Sequence, residues 1–142
     1  MKPKKKLVKL FEFVVAMAMI VILPVLALSE SKKADIKNKQ SEAKMILKQI
    51  YAMQKAYYVD KGLYWITNSA GNGGAGRTSF VPIRIEIPNS ARYTYIITST
   101  DAGATNFYAT ATSGALDEDA TMDTWVINQT GFLQVTSDDS EY

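Results

Sequence analysis

The sequence predicts an α+β chain: a long N-terminal α-helix, half membrane-spanning and half amphipathic stem, packed on a small antiparallel β-sheet head. Three observations carry this reading. Residues 10–28 form an apolar run with a single charge, Glu12. Residues 30–61 contain no Gly or Pro, and their apolar residues recur in steps of three and four, the spacing of one helix face. From residue 83 onward the period becomes two, the period of strands. At 142 residues the chain has room for one domain and an appendage.

Composition excludes much chemistry. The chain has no Cys and no His, which removes disulfides, Cys/His zinc sites and any nucleophile activated by histidine. Charge is unevenly distributed. Residues 1–61 hold 13 Lys and 5 acids, whereas residues 62–142 hold 3 Arg and 9 acids. An acidic C-terminal half repels phosphate, so nucleic acid is not an expected partner. No motif specifies a paired-carboxylate cleft, and the chain is not read as an enzyme.

Residues 1–9 form a basic leader with five lysines. The 10–28 run would span about 28 Å as a helix, close to the hydrocarbon thickness of a bilayer. Lysines ahead of it place the N-terminus in the cytoplasm and the rest of the chain on the far side. A cleaved signal peptide is the competing reading, with Ala27-Leu28-Ser29 as its end. Against it stand the length of the apolar run and the carboxylate of Glu12, which is costly at bilayer depth without a cationic partner.

Residues 29–61 read as the stem. Its stripe is Ala43, Ile46, Ile50, Met53 and Tyr57, with Ile36 a heptad earlier, while most of its lysines lie off that face. Gly62 is the expected helix stop, since a left-handed residue ends a helix there. Membrane segment and stem would form one helix from about residue 7 to residue 61, kinked near Pro24.

Residues 62–82 form a glycine-rich connection. Gly71 to Thr78 spells G-x-x-x-x-G-R-T, but a phosphate loop needs a strand before it and a helix after it, and here a helix end precedes and a strand-like run follows. Residues 83–142 form the head. Ile83, Ile85 and Ile87 alternate with Arg84 and Glu86. Tyr93–Thr98 and Phe107–Thr112 are strand-like, separated by a turn at Asp101-Ala102-Gly103. Trp125–Ile127 and Phe132–Val135 flank a hairpin loop, Asn128 to Gly131. Four or five strands result. Asn128-Gln129-Thr130 also matches a glycosylation sequon, although a tight turn accounts for Asn there. In the acidic loop between strands, Asp117, Asp119 and Asp123 are oxygen donors of the kind calcium takes, without a glycine-turned twelve-residue loop around them.

Together these features resemble the type IV pilins and pseudopilins. Leu10-Phe11-Glu12-Phe13-Val14-Val15 is similar to the family's apolar signature around a glutamate. Ser41-Glu42-Ala43 and the exit Lys61-Gly62-Leu63-Tyr64 resemble its stem and stem end. The resemblance implies an inner-membrane protein that polymerises through its apolar helix into a cell-surface filament, with other pilins and the inner-membrane assembly machinery as partners. It implies an assembly role for Glu12 and a processing site between Leu7 and Val8. Leu7 stands where the family has glycine, and no glycine occurs before Gly62. The competing function is a membrane-tethered or secreted extracytoplasmic binding module. A tether needs neither Glu12 nor the 43–57 stripe.

Overall fold

The computed structural model of the chain describes residues 3–74, 78–116 and 121–138, with side chains from residue 30 onward. It divides into two compact units, residues 1–35 and residues 36–142. Helix α1, Pro3–Lys61, runs for 59 residues and contributes to both. Leu7, Val8 and Glu12 lie in its backbone, and their side chains are outside the description. Among the described residues no helix is long and apolar enough to cross a membrane; the 10–28 side chains, on which the membrane expectation rests, fall outside that set.

In the larger unit α1 ends as its sequence predicts. Gly62 adopts φ +73° and its N–H donates to Tyr58 O at 2.8 Å. The buried seam of the stem is Ile36, Gln40, Ala43, Leu47, Ile50 and Gln54, with Ile46 beside it. Its steps alternate four and three, a heptad-type stripe. Ile36, Ala43, Ile46 and Ile50 of the predicted stripe are buried, whereas Met53 and Tyr57 are only partly so. The central line runs instead through Leu47 and two glutamines.

The head is one four-stranded antiparallel sheet in sequential order: β1 (Tyr93–Thr98), β2 (Tyr108–Ala115), β3 (Met122–Asn128) and β4 (Leu133–Ser137). Its inner face alternates strictly along β1, where Tyr93, Tyr95 and Ile97 are buried between exposed neighbours. Strand β2 presents only small inner residues, Ala109, Ala111 and Ser113. That leaves depth for Ile46, Leu47 and Ile50 of the stem, which share one core with Tyr93, Tyr95 and Ile127. The β3–β4 hairpin closes as expected, with Gly131 at φ +80° and Gly131 N–H donating to Asn128 O at 2.9 Å.

One expected strand is absent. Residues 83–87 do not join the sheet. Pro82 sets the first turn of a short 3₁₀ helix, Val81–Ile83, and Arg84 follows at φ +54°. Phe80 and Ile85 then exchange two backbone bonds, at 2.9 and 3.0 Å, which closes a tight turn. Ile83, Ile85 and Ile87 are nonetheless all buried. The alternation correctly marked an inward-facing run, but a proline at its start bent it into a turn. The sheet therefore begins at Tyr93. In the 71–78 stretch, Asn72 and Thr78 pair across the loop, and only the three-residue 3₁₀ helix follows. Among the described residues the stretch is flanked by neither the preceding strand nor the following α-helix of a phosphate loop, and residues 75–77 lie outside them.

Candidate functional site

The stem–head interface holds a compact polar cluster. Asp123, on the inner face of β3, is fully buried. Its Oδ1 accepts from Gln40 Nε2 of the stem at 3.0 Å. Its Oδ2 accepts from the Tyr93 hydroxyl at 2.5 Å and from Trp125 Nε1 at 2.6 Å. Its backbone N–H donates to Ser113 Oγ at 3.1 Å. A buried carboxylate is tolerated only with such donors. Gln40 Nε2 also donates to Asp138 Oδ1 at 2.8 Å, so one stem amide holds two acids, one in β3 and one just past the end of β4. Lys44 Nζ lies 4.1 Å from the centre of the Trp125 ring, a cation–π contact. Burial, then the hydrogen bond to the Asp123 carboxylate, pushes the Tyr93 phenol well up.

A second clamp lies about four turns further along the stem. Gln54, also fully buried, donates to Trp65 O at 2.6 Å and accepts from Trp65 N–H at 2.9 Å. The chain leaving the helix is thus held as a strand would hold it. Tyr64 continues the attachment: its N–H donates to Gly103 O at 2.8 Å, and its ring packs between Tyr58 and Phe107, at 4.5 and 4.9 Å. Gly103 is required by this approach, because a Cβ there would stand 2.2 Å from Tyr64 O.

Beside the end of the stem lies an open groove of about 470 Å³. Met53, Tyr57, Asp60 and Lys61 form one wall, and Pro82, Ile83 and Arg84 the other. Lys61 Nζ pairs with Asp60 at 2.9 Å, and that hydrogen bond and charge raise its pKa. The groove brings two cations, Lys61 and Arg84, and one carboxylate, Asp60, near an apolar floor. Elsewhere, the β1–β2 turn is tied by Asp101, whose carboxyl is held down at about 2 by hydrogen bonds from Thr105 and Ser99.

The calcium reading separates into two parts. Asp123 points inward, and its oxygens accept protein donors. Asp117 and Asp119 lie outside the described residues. Among the described residues no group of three acids or other metal-ligating side chains comes together. Gln40 and Gln54 escaped the sequence reading because a search for an apolar stripe skips glutamine. Their signal was positional: both fall on the heptad line through Ala43 and Ile50.

Comparison of the chain with protein-family models, with curated proteins and with solved structures finds no match.

Proposed function

We propose that this chain is a structural subunit of a type IV pilus or type II secretion pseudopilus, polymerising through its apolar N-terminal helix. The observation that supports it is the helix itself. Pro3–Lys61 is one helix, and its residues 36–54 supply the floor of a four-stranded antiparallel head. A head built on the lower half of a helix leaves the 10–28 run as a separate apolar element. That run needs a bilayer or other copies of itself around it. On this reading the chain waits in the inner membrane with its head outside the cytoplasm, and the assembly machinery transfers it into a filament. The acid in the run, Glu12, then needs a cation from a neighbour. The N-terminal amine of Val8, freed by cleavage after Leu7, would supply one, and Lys9 is the alternative in an uncleaved chain. Two desolvated charges are tolerable together and costly apart.

Glu12→Gln tests this. The head should fold and the chain should insert in the membrane as the parent does, while filament yield at the cell surface, counted by electron microscopy, collapses. Parental yield at equal membrane content would end the assembly role. The groove at the stem end favours a second reading, a tethered module that binds a ligand there. In that case Glu12→Gln changes nothing, and Arg84→Ala removes ligand binding.

A further inference from the structure

Of the six asparagines in the chain, only Asn72 is followed by glycine. The fold also holds it less than others. Asn106 is fixed at both ends of its carboxamide: Oδ1 accepts from Ser99 Oγ and Thr100 N–H, and Nδ2 donates to Thr100 Oγ. Asn128 Oδ1 accepts from the Thr130 N–H and hydroxyl and from Phe132 N–H. Asn72 Oδ1 is buried without a hydrogen-bond partner, and its Nδ2 bonds to no described group. No hydrogen bond has to break for this carboxamide to react.

The backbone around Asn72 fastens the 67–74 segment to the edge of β1. Thr67 N–H donates to Ile97 O at 3.0 Å, and Gly71 and Tyr95 exchange two bonds, at 2.7 and 2.8 Å. Asn72 exchanges two bonds with Thr78, at 3.0 and 3.1 Å, and Gly74 N–H donates to Asn89 O at 3.0 Å. In the run from Gly71 to Gly74, only the N–H of Gly73 donates to no described group. Glycine is imposed at 73 by packing, because a Cβ there would collide with Pro88 O and stand 2.9 Å from Asn89 O. The same missing Cβ leaves the Gly73 nitrogen unshielded beside the Asn72 side chain.

We infer that Asn72-Gly73 is a site of spontaneous deamidation, a modification that needs only water. The Gly73 nitrogen gives its proton to solvent and attacks Asn72 Cγ. The N–Cγ bond forms, the Cγ–Nδ2 bond breaks, and Nδ2 takes up a proton and leaves as ammonia, closing a succinimide ring. Water then opens the ring at either carbonyl. One opening restores the ordinary backbone with an aspartate side chain. The other routes the chain through the side chain as isoaspartate, with one more methylene between residues 72 and 73. Aspartate puts a charge where Asn72 Oδ1 now lies buried without a donor, which an ion tolerates far less than an amide. Isoaspartate displaces the carbonyl that accepts from Thr78 N–H and lengthens the chain ahead of the Gly74 bond. Both products work against the attachment of the 67–74 segment, so the site is a one-way release of the edge of β1 that this segment covers. It does not rest on the filament reading, since Glu12 takes no part.

Peptide mapping by mass spectrometry tests the chemistry, on the full-length folded chain in its native membrane at mildly alkaline pH. The peptide carrying Asn72 should gain with time the mass difference between an amide and an acid. In water enriched in heavy oxygen the gain should include the heavy atom. Aspartate and isoaspartate should appear together, because only the ring route gives both. Peptides carrying Asn106 and Asn128 should stay unchanged. Lower pH should slow the change, since attack requires loss of the Gly73 proton. Asn72→Gln, which would have to close a less favourable six-membered ring, should stay unmodified. Asn72→Asp supplies one product directly. It should speed amide hydrogen exchange at Thr67, Gly71 and Tyr95 several-fold, while amides bonded between β2 and β3 exchange as before. An Asn72 that stays intact in the folded chain over the time in which the denatured chain converts it overturns the site. Unchanged exchange at the three amides, or equal loss of protection throughout the sheet, overturns the release.

Discussion

Two neighbouring tyrosines on one strand face the same core and have opposite prospects. The Tyr93 hydroxyl donates to buried Asp123, whereas the Tyr95 hydroxyl, equally buried, has no hydrogen-bond partner among the described residues. Removing a hydroxyl that serves a buried carboxylate costs about 1–3 kcal/mol, and removing one without a partner costs little or stabilises. Tyr93→Phe should therefore lower stability by about 2 kcal/mol and Tyr95→Phe should not, as read by denaturant midpoints. Both phenols are pushed up, chiefly by burial, with Glu42 adding to Tyr95. An unfolded tyrosine ionises near pH 10. A raised folded pKa means that the folded state keeps protons the unfolded state loses. Their contribution is thus complete below about pH 10 and declines as pH rises above it. Tyr95→Phe should make the alkaline decline in stability shallower, measured as midpoint against pH.

At the scale of elements, the seam decides which substitutions matter. Ile50 is fully buried and Lys48 is exposed two residues away. Ile50→Ala should cost about 2–4 kcal/mol, and Lys48→Ala should stay within about 0.5 kcal/mol. Equal costs would move the seam to another face. Much of this was legible beforehand. The steps of three and four located the buried face. The alternation in Tyr93–Thr98 located β1, and Asn128 to Gly131 located the last hairpin. What was not legible depended on contacts distant in sequence. Nothing local says that Asp123, in an acid-rich stretch, turns inward, because two of its three side-chain donors, Tyr93 and Gln40, are 30 and 83 residues away. Nothing local says that Ile83–Ile87 is a turn, because the bonds that make it one join Phe80 to Ile85 around Pro82.

For the whole molecule, the core cannot be assigned to the head alone. Ala43, Ile46, Leu47 and Ile50 belong to the same buried cluster as the inner faces of β1 to β3. A sheet of this size with one face uncovered buries too little to be stable, and a helix across it makes up the difference. Residues 62–142 produced without the stem should show no cooperative unfolding transition by circular dichroism, whereas residues 30–142 should. A cooperative transition from the stemless piece would place the core elsewhere. The candidate site followed the same division of legibility. The role expected of Glu12 came from its sequence setting, while the polar clamps at Gln40 and Gln54 became visible only once the helix lay on the sheet.

The direction of the seam has a mechanical consequence. Buried contacts from Ile36 to Gln54 lie in line with the helix axis, and hydrogen-bonded clamps sit near both ends, to Asp123 and Asp138 at Gln40 and to Trp65 at Gln54. A pull along the stem with the head held loads that row in shear. The contacts must then slip together, whereas a sideways pull would peel them one after another. Forced separation is governed by the unfolding barrier rather than by equilibrium stability. The same set of contacts therefore resists tension along the helix more strongly than a pull across it.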